Sequence, residues 1–206
     1  MFLAPLPVIT SVFAVMAEAE RHTFMVLTKS APEMRDAIER VRTAVAEAWE
    51  CFDGGRFPWP LPNVWLGVSV RNQEEADARR EYLRALADWH TWVSYEPAIG
   101  PVCWNGWQFV RFVVDGGESG SRARPSHPKW HRDTRDFCQA YRIPFMFKQW
   151  GEWAPAQVAI KAGSSGAHEY VDSGCGCGER EFMMRVGKQA AGCLLDGKQY
   201  RGLPIG

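Results

Sequence analysis

The pattern of apolar and polar positions predicts short strands that alternate with amphipathic helices. Runs of β-branched and aromatic residues, typical of buried strands, are separated by stretches in which apolar residues recur at helical spacing. The predicted strands are residues 23–27, 63–70, 91–94, 109–114 and 144–147, and the predicted helices are residues 8–21, 32–49, 73–87 and 130–141. This alternation favours right-handed crossovers and a parallel sheet. We therefore predict an α/β fold, an incomplete TIM-like barrel with about five parallel strands.

The pattern changes after Ala154. Residues 161–178 are rich in Gly, Ser and Ala, which predicts a flexible surface insertion. Residues 179–195 predict a terminal helix, and the last residues predict an extended tail. We therefore expect a partial βα barrel in residues 1–155. The insertion, with a C-terminal helix and tail packed on the barrel, occupies residues 156–206.

Composition limits the classes of function. The 206 residues suit one domain, and the Lys+Arg and Asp+Glu counts are both 24, so the chain lacks the basic excess of a dedicated nucleic-acid binder. No apolar run reaches the roughly 20 residues that a membrane-spanning helix needs. The six cysteines are mostly scattered in apolar contexts, which favours free thiols in a reducing cytosol. We expect a cytoplasmic protein with no membrane partner.

Polar side chains follow four of the five predicted strands. The carboxyl ends of parallel strands lie at one edge of a sheet, so these groups are expected to converge on one mouth. Carboxylates and lysines that face each other there can shift one another's pKa and act as acid or base. The alternative is a structural network of ion pairs. The candidates are Lys29 after the first strand; Glu96 after the third; Asp115, Gly116, Gly117, Glu118 and Ser119 after the fourth; and Lys148, Gln149 and Glu152 after the fifth.

The candidates divide into two roles. Lys29 or Lys148 would neutralise an anion and Glu96 would act as acid or base, so these three are the catalytic candidates. The glycines permit tight backbone and a close approach to a ligand. Arg124, in the loop that follows them, can clamp a phosphate or carboxylate. The ligand-binding candidates are Asp115, Gly116, Gly117, Glu118, Ser119, Arg124, Gln149 and Glu152.

Two further motifs bear on metal binding. His127 and His131 are four residues apart, but a proline between them predicts that His127 precedes the helix. Cys175 and Cys177, with His168 before them and Cys193 after them, could together bind zinc, although structural zinc sites usually use Cys-x-x-Cys spacing. We assign no metal site, and zinc at these cysteines stays an open question.

Six motifs occur in a characteristic order. They are His22-Thr23 leading to Leu27-Thr28-Lys29, Asn63-Val-Trp-Leu-Gly-Val-Ser69, Ser94-Tyr-Glu96-Pro97, Gly116-Gly-Glu-Ser-Gly120, Phe147-Lys-Gln-Trp-Gly-Glu-Trp153 and Leu194-Leu-Asp-Gly197. In these motifs the chain resembles the phage gene-product thirty-seven/sixty-eight family, a domain of unknown function, over nearly its whole length. The resemblance implies a radical-SAM-like partial TIM barrel.

The resemblance also implies cofactors. Full-length relatives open with a cysteine-rich segment expected to hold a 4Fe-4S cluster, and this sequence has no such segment. Because its cysteine spacings contain no cluster triplet, we do not expect a 4Fe-4S cluster in this chain. S-adenosylmethionine remains a candidate cofactor. The run Gly116-Gly117-Glu118 is similar to the glycine-glycine-glutamate that holds the methionyl amine of S-adenosylmethionine in radical enzymes.

Three hypotheses for function follow. The first is a truncated or cluster-less relative that binds a polar or nucleotide-like ligand at the strand ends, with the missing cluster segment as a partner. The second is a non-catalytic phage module that engages a host protein or nucleic acid through the open barrel edge and exposed tryptophans, of which the chain has ten. The third is a cluster-free enzyme acting on a nucleotide. We adopt the first, in the host cytoplasm if the protein is phage-encoded, and leave open whether it is an enzyme.

Overall fold

The computed structural model describes residues 4–53, 58–161, 163, 166–174, 176 and 178–203, with the backbone alone at residues 45 and 47–53. Five parallel strands, arranged in chain order, form the main sheet. They are β1 (Phe24–Thr28), β2 (Val64–Ser69), β3 (His90–Tyr95), β4 (Phe112–Gly116) and β5 (Phe145–Gln149). The sheet alternates with helices and does not close. The predicted α/β fold, consistent with an incomplete barrel, is confirmed.

Four helices accompany these strands: α1 (Leu6–Glu18), α2 (Ala31–Asp53), α3 (Gln73–Arg84) and α4 (Pro128–Ala140). Local signals explain two of their starts. The side chain of Asn72 accepts a hydrogen bond from the backbone N–H of Glu75 at 3.0 Å and caps α3. At α4, Pro128 lies in the first turn, and the ring of His127 accepts a bond from the N–H of Lys129 at 3.0 Å. His127 therefore precedes the helix, as predicted.

The two faces of the sheet have different surroundings, because successive side chains of a strand point to opposite faces. One face packs against the helices and builds the main core, in which Leu66 and Val93 are fully buried. The opposite face, here called the inner face, carries a small apolar cluster of Trp65, Trp92 and Phe112. Gly67 makes room for this cluster, since a Cβ there would lie 2.4 Å from the Trp92 indole.

The predicted helix over residues 179–195 is wrong. After β5 the chain forms β6 (Trp153–Pro155), α5 (Ala156–Lys161), β7 (His168–Asp172), β8 (Arg180–Arg185), α6 (Lys188–Ala191), β9 (Leu194–Leu195) and β10 (Lys198–Gln199). Strand β8 is the middle strand of an antiparallel sheet with β6 and β7. The region predicted as a Gly/Ser-rich insertion, residues 161–178, therefore includes the paired strand β7.

Pairing and glycine geometry explain this difference. Met183 of β8 is fully buried where the strand pairs with both neighbours, and such packing outweighs intrinsic helix preference. Gly187 and Gly192 have φ angles of 83° and 69°, a left-handed backbone that bounds the short helix α6 at both ends.

The C-terminal tail covers one edge of the main sheet. Strands β9 and β10 form a hairpin through Asp196 and Gly197, both with positive φ, as two-residue hairpin turns require. The extended tail then follows β5, where the N–H of Phe147 donates to the carbonyl of Tyr200 at 3.2 Å. At the other edge, β1 pairs with β2 alone among the described strands.

Tryptophans contribute to the core. Of the tryptophan side chains that the structure describes, eight are buried and that of Trp59 is half-buried. The predicted surface of exposed tryptophans is therefore corrected for this part of the chain, because the indoles fill space between the sheet, the helices and the loops.

None of the described helices combines the length and hydropathy that crossing a membrane requires.

Candidate ligand-binding site

Glu96 and Lys148 form an ion pair at the carboxyl end of the inner face. Glu96 follows β3 and Lys148 lies on β5, and the Nζ of Lys148 is 3.2 Å from the Oε1 of Glu96. The Ser94 hydroxyl donates to the other carboxylate oxygen at 3.4 Å. The Glu96 side chain is 19% exposed and the Lys148 side chain 55% exposed, so the lysine can move away into solvent while the carboxylate stays in place. The structure thus brings two of the three catalytic candidates together.

Gly116 and Gly117 join the end of β4 to the end of β5. The N–H of Gly117 donates to the carbonyl of Gln149 at 2.9 Å. A Cβ on Gly117 would lie 1.9 Å from the carbonyl oxygen of Trp150, and a Cβ on Gly116 would lie 3.0 Å from the Glu96 carboxylate. The glycines do permit a close approach, but the groups that approach are the neighbouring backbone and Glu96.

Arg124 holds the carboxylate of Glu118. The guanidinium donates to the two carboxylate oxygens at 2.8 and 2.7 Å, and the backbone N–H of Arg124 donates at 2.8 Å. The side-chain bonds from Arg124 hold the pKa of Glu118 below its usual range. Glu118 is therefore an anion that already has a full partner, with 23% of its side chain exposed.

The remaining candidates of the last two strands also bond to one another. The amide of Gln149 donates to the Ser119 hydroxyl at 3.0 Å, and the N–H of Gly120 donates to the Glu152 carboxylate at 3.2 Å. The backbone N–H of Glu152 donates to the carbonyl of Glu118 at 2.9 Å. The loop after β4 and the turn after β5 thus form one hydrogen-bonded rim, and the ligand-binding role of its side chains stays a prediction.

Asp115 faces the helices rather than the rim. Strand β4 ends at Gly116, two residues beyond the predicted end, so Asp115 lies within the strand and points to the face that packs on α4. Its Oδ1 is 2.7 Å from the Nδ1 of His131, whose Nε2 is 2.8 Å from the Oγ of Ser126. Burial raises the pKa of Asp115, and the bond from His131 offsets part of this effect.

We call Asp115, His131 and Ser126 the buried triad. The order of the three groups is that of a serine hydrolase, but Ser126 is 1% exposed and the other two are fully buried. A nucleophile in that position is not accessible to a substrate. The triad therefore ties the loop before α4 to strand β4, and the structure separates Asp115 from the other ligand candidates.

Lys29 also stands apart. It follows β1, so the strand order places it two strands from the end of β3 and four strands from β5. Its carbonyl accepts a bond from the Nε of Arg79 at 3.1 Å, whereas no described carboxylate pairs with its ammonium group. The structure does not bring Lys29 together with Glu96 and Lys148.

Three charged residues that the sequence did not single out form ion pairs after β2, and one of them, Arg71, lies near the rim. Arg71 follows β2 and pairs with Glu75 of α3, and Arg79 pairs with the same carboxylate at 2.6 Å. The hydrogen bond and the charge of Glu75 raise the pKa of Arg71, and the charges of Arg124 and Glu118 lie close enough to make smaller contributions. The missed signal was the position of Arg71, which is a charged residue just beyond a strand, like the other candidates.

The bond between Glu118 and Arg124 predicts a loss of stability in acid. A carboxylate whose pKa is lowered by folding stabilises the fold above its unfolded pKa, about 4.3, and loses this contribution as pH falls through the folded value. We expect Glu118→Gln to lose about 1 kcal/mol at neutral pH and to have a flatter pH dependence below about pH 5. Urea unfolding at a series of pH values measures this, with exposed Glu39→Gln on α2 as control. Parallel curves for wild type and Glu118→Gln would contradict the prediction.

The described residues offer no metal centre. No group of three or more His, Cys, Asp or Glu side chains in that part of the chain could hold a metal ion. Of the cysteines considered for zinc, Cys175 and Cys177 lie outside the described residues. Cys193 accepts a bond from the amide of Gln199 at 3.2 Å.

The fold and the rim together define an open α/β half-barrel with charged groups at the carboxyl ends of its strands, where such proteins bind ligands. A family model described as "Protein of unknown function (DUF5131)" matches residues 3–204, and the chain belongs to this family. No curated protein and no solved structure matches the chain significantly. The comparisons thus establish a family without assigning a ligand or a reaction.

Proposed function

We propose that this chain is a phage-type, radical-SAM-like partial-barrel protein that binds a small polar ligand bearing an amine at the carboxyl end of its inner face. The observation that carries the proposal is the ion pair of Glu96 and Lys148. A mostly buried carboxylate lies at the end of an apolar face, and its partner is a half-exposed lysine. This combination gives a fixed anion whose cation can be exchanged.

Exchange of cations is the chemical step of binding. A ligand ammonium group takes the place of the Lys148 ammonium on Glu96, so the buried carboxylate is never left without a partner, which would be costly. Lys148 then becomes free to pair with an anionic group of the same ligand. The partly buried side chains of Val114 and Met146, which pack against the apolar cluster of the inner face, would contact the rest of the ligand.

S-adenosylmethionine fits these groups in its methionyl part, which carries one amine and one carboxylate. The donor set supports this fit, because Glu96 can accept from the amine and Lys148 can pair with the carboxylate. In radical enzymes this cofactor supplies radical chemistry together with an iron–sulfur cluster. Among the described cysteines, Cys103 is exposed and Cys138 is buried in the core, and they belong to no metal-ligand group. The proposed function is the binding step.

The ligand role of Glu96 predicts a measurable loss of affinity. In Glu96→Gln, a charge-assisted bond worth about 1.5–3 kcal/mol is weakened, so we expect S-adenosylmethionine to bind at least roughly tenfold more weakly by calorimetry. Asp133→Asn is the matched control, because it removes the carboxylate of another lysine pair, at 2.7 Å from Lys129, on α4. Equal affinities of Glu96→Gln, Asp133→Asn and wild type would refute the proposal.

A second function is favoured by the open edge of the sheet. Met25 and Leu27 of β1 are 39% and 46% exposed, and this terminal strand could pair with a strand from a protein partner. The apolar side chains favour a protein over a nucleic acid.

Hydrogen exchange distinguishes ligand binding at the strand ends from partner binding at the sheet edge. A small ligand should protect the amides of Gly116 and Gly117, whereas an edge partner should protect β1 equally in wild type and Glu96→Gln.

A further inference from the structure

A solvent-open cavity adjoins the lysine side of the Glu96–Lys148 pair. Its volume is about 370 Å³. Two lysines, two glutamines, a glycine and a cysteine form its walls, and none of the lining residues is acidic. They are Lys148, Gln149, Lys188, Gln189, Gly192 and Cys193.

Backbone bonds across a long sequence separation hold this cavity together. The N–H of Trp150, which follows β5, donates to the carbonyl of Gly192 at 3.0 Å, and its indole N–H donates to the carbonyl of Leu194 at 2.9 Å. At the other end of α6, the N–H of Gly187 donates to the carbonyl of Glu152 at 3.1 Å. The segment that carries Lys188 is thus fixed at both ends against the turn after β5.

The cavity carries an excess of positive charge. Lys148 is paired with Glu96, but Lys188 is exposed and forms no ion pair with any residue in the described part of the chain. When a ligand amine occupies Glu96, both lysines become available. Lysine ammonium groups bind phosphate as point charges with several donors, and the amides of Gln149 and Gln189 offer further N–H groups.

We infer that this cavity is a subsite for a phosphate group. A dianionic phosphate matches two ammonium groups, whereas a carboxylate needs one, so the charge of the site favours phosphate. The ligand class, a phosphorylated compound that also carries an aliphatic ammonium group, rests on the proposed function for Glu96, whereas S-adenosylmethionine, which has no phosphate, would use only the amine and carboxylate contacts. The phosphate subsite itself does not depend on Glu96.

The first experiment titrates the protein with inorganic phosphate and with acetate at constant ionic strength, by calorimetry. We expect saturable phosphate binding that is stronger than acetate binding. Lys188→Gln should weaken phosphate binding about tenfold, the effect of losing one charge-assisted hydrogen bond. Lys198→Gln, an exposed lysine on β10, is the matched control and should bind as wild type does. Absence of saturable phosphate binding, or equal binding by acetate, would overturn the inference.

The second experiment locates the bound phosphate. Cys193 lines the cavity and Cys103 is exposed elsewhere, so phosphate should slow the alkylation of Cys193 by iodoacetamide and leave that of Cys103 unchanged. Unchanged labelling of Cys193 at saturating phosphate would place the anion elsewhere. Glu96→Gln distinguishes the two proposals, because it should retain phosphate binding while losing the amine-bearing ligand. Phosphate binding that is lost in Glu96→Gln but kept in Lys188→Gln would also overturn this assignment.

Discussion

Gly117→Ala is expected to destabilise the protein by about 3 kcal/mol or more, the upper range for an inserted group that its surroundings cannot accommodate. The new Cβ would lie 1.9 Å from the carbonyl oxygen and 2.7 Å from the carbonyl carbon of Trp150. These are backbone atoms, so no side-chain rotation relieves the clash. The ends of β4 and β5 must separate, which breaks the bond from Gly117 to the carbonyl of Gln149. Urea unfolding followed by tryptophan fluorescence measures the loss.

Gly120→Ala is the control in the same loop. Its Cβ would meet nothing within 4 Å, although its φ of 107° is unfavourable for alanine. We expect this variant to lose about 1–2 kcal/mol from backbone strain alone. A loss in Gly117→Ala no greater than that in Gly120→Ala would show that the two strand ends separate easily.

This steric argument changes the interpretation of the glycine motif. The sequence alone predicts that positions 116 and 117 are glycines because a ligand approaches the backbone there. In the structure, the backbone of Trp150 occupies the space that a side chain at position 117 would need. The same residues would be required whether or not a ligand binds, because the constraint comes from a neighbouring strand. The motif therefore explains how the rim is assembled, and evidence for binding must come from the exchangeable pair of Glu96 and Lys148.

Local pattern was sufficient for some predictions. The five strands follow from apolar runs bounded by polar residues, and parallel order follows from their alternation with helices. The proximity of Glu96 and Lys148 could be predicted because both lie at the carboxyl ends of strands in the same sheet. These inferences need the period of the side chains and the topology, which are properties of short segments.

Other features depended on details that short segments do not contain. The direction of Asp115 changes with the length of β4, since a strand that continues through Gly116 places the carboxylate on a defined face. Lys188 reaches the cavity beside Lys148 because Trp150 bonds to the segment around Gly192, which is about 40 residues further along the chain. The strand β8 was predicted as a helix because its stabilisation comes from two neighbouring strands.

His131→Ala is the second substitution with a large expected effect, a loss of about 3–5 kcal/mol, because it removes a fully buried ring and leaves a buried carboxyl without its partner. It would leave the fully buried Asp115 carboxyl without the bond at 2.7 Å, and the other oxygen of that carboxyl already lacks a described partner. Ser126→Ala should cost about 1 kcal/mol, because it removes one neutral hydrogen bond. Urea unfolding of both variants measures the difference, and a loss below that of Ser126→Ala would contradict the role assigned to His131.

Replacing both Asp115 and His131 with apolar residues is the complementary test of the cost of an unpaired buried polar group. Asp115→Val combined with His131→Leu removes the unpaired group as well as its partner, so the double variant should lose less than the sum of the two single variants. Binding of S-adenosylmethionine supplies a separate readout. If Asp115 acts through the fold alone, the folded fraction of Ser126→Ala and of Asp115→Asn should bind the ligand as wild type does. A folded Asp115→Asn variant that no longer binds would instead restore Asp115 to the ligand-binding residues and would mean that the strand end opens when the ligand enters.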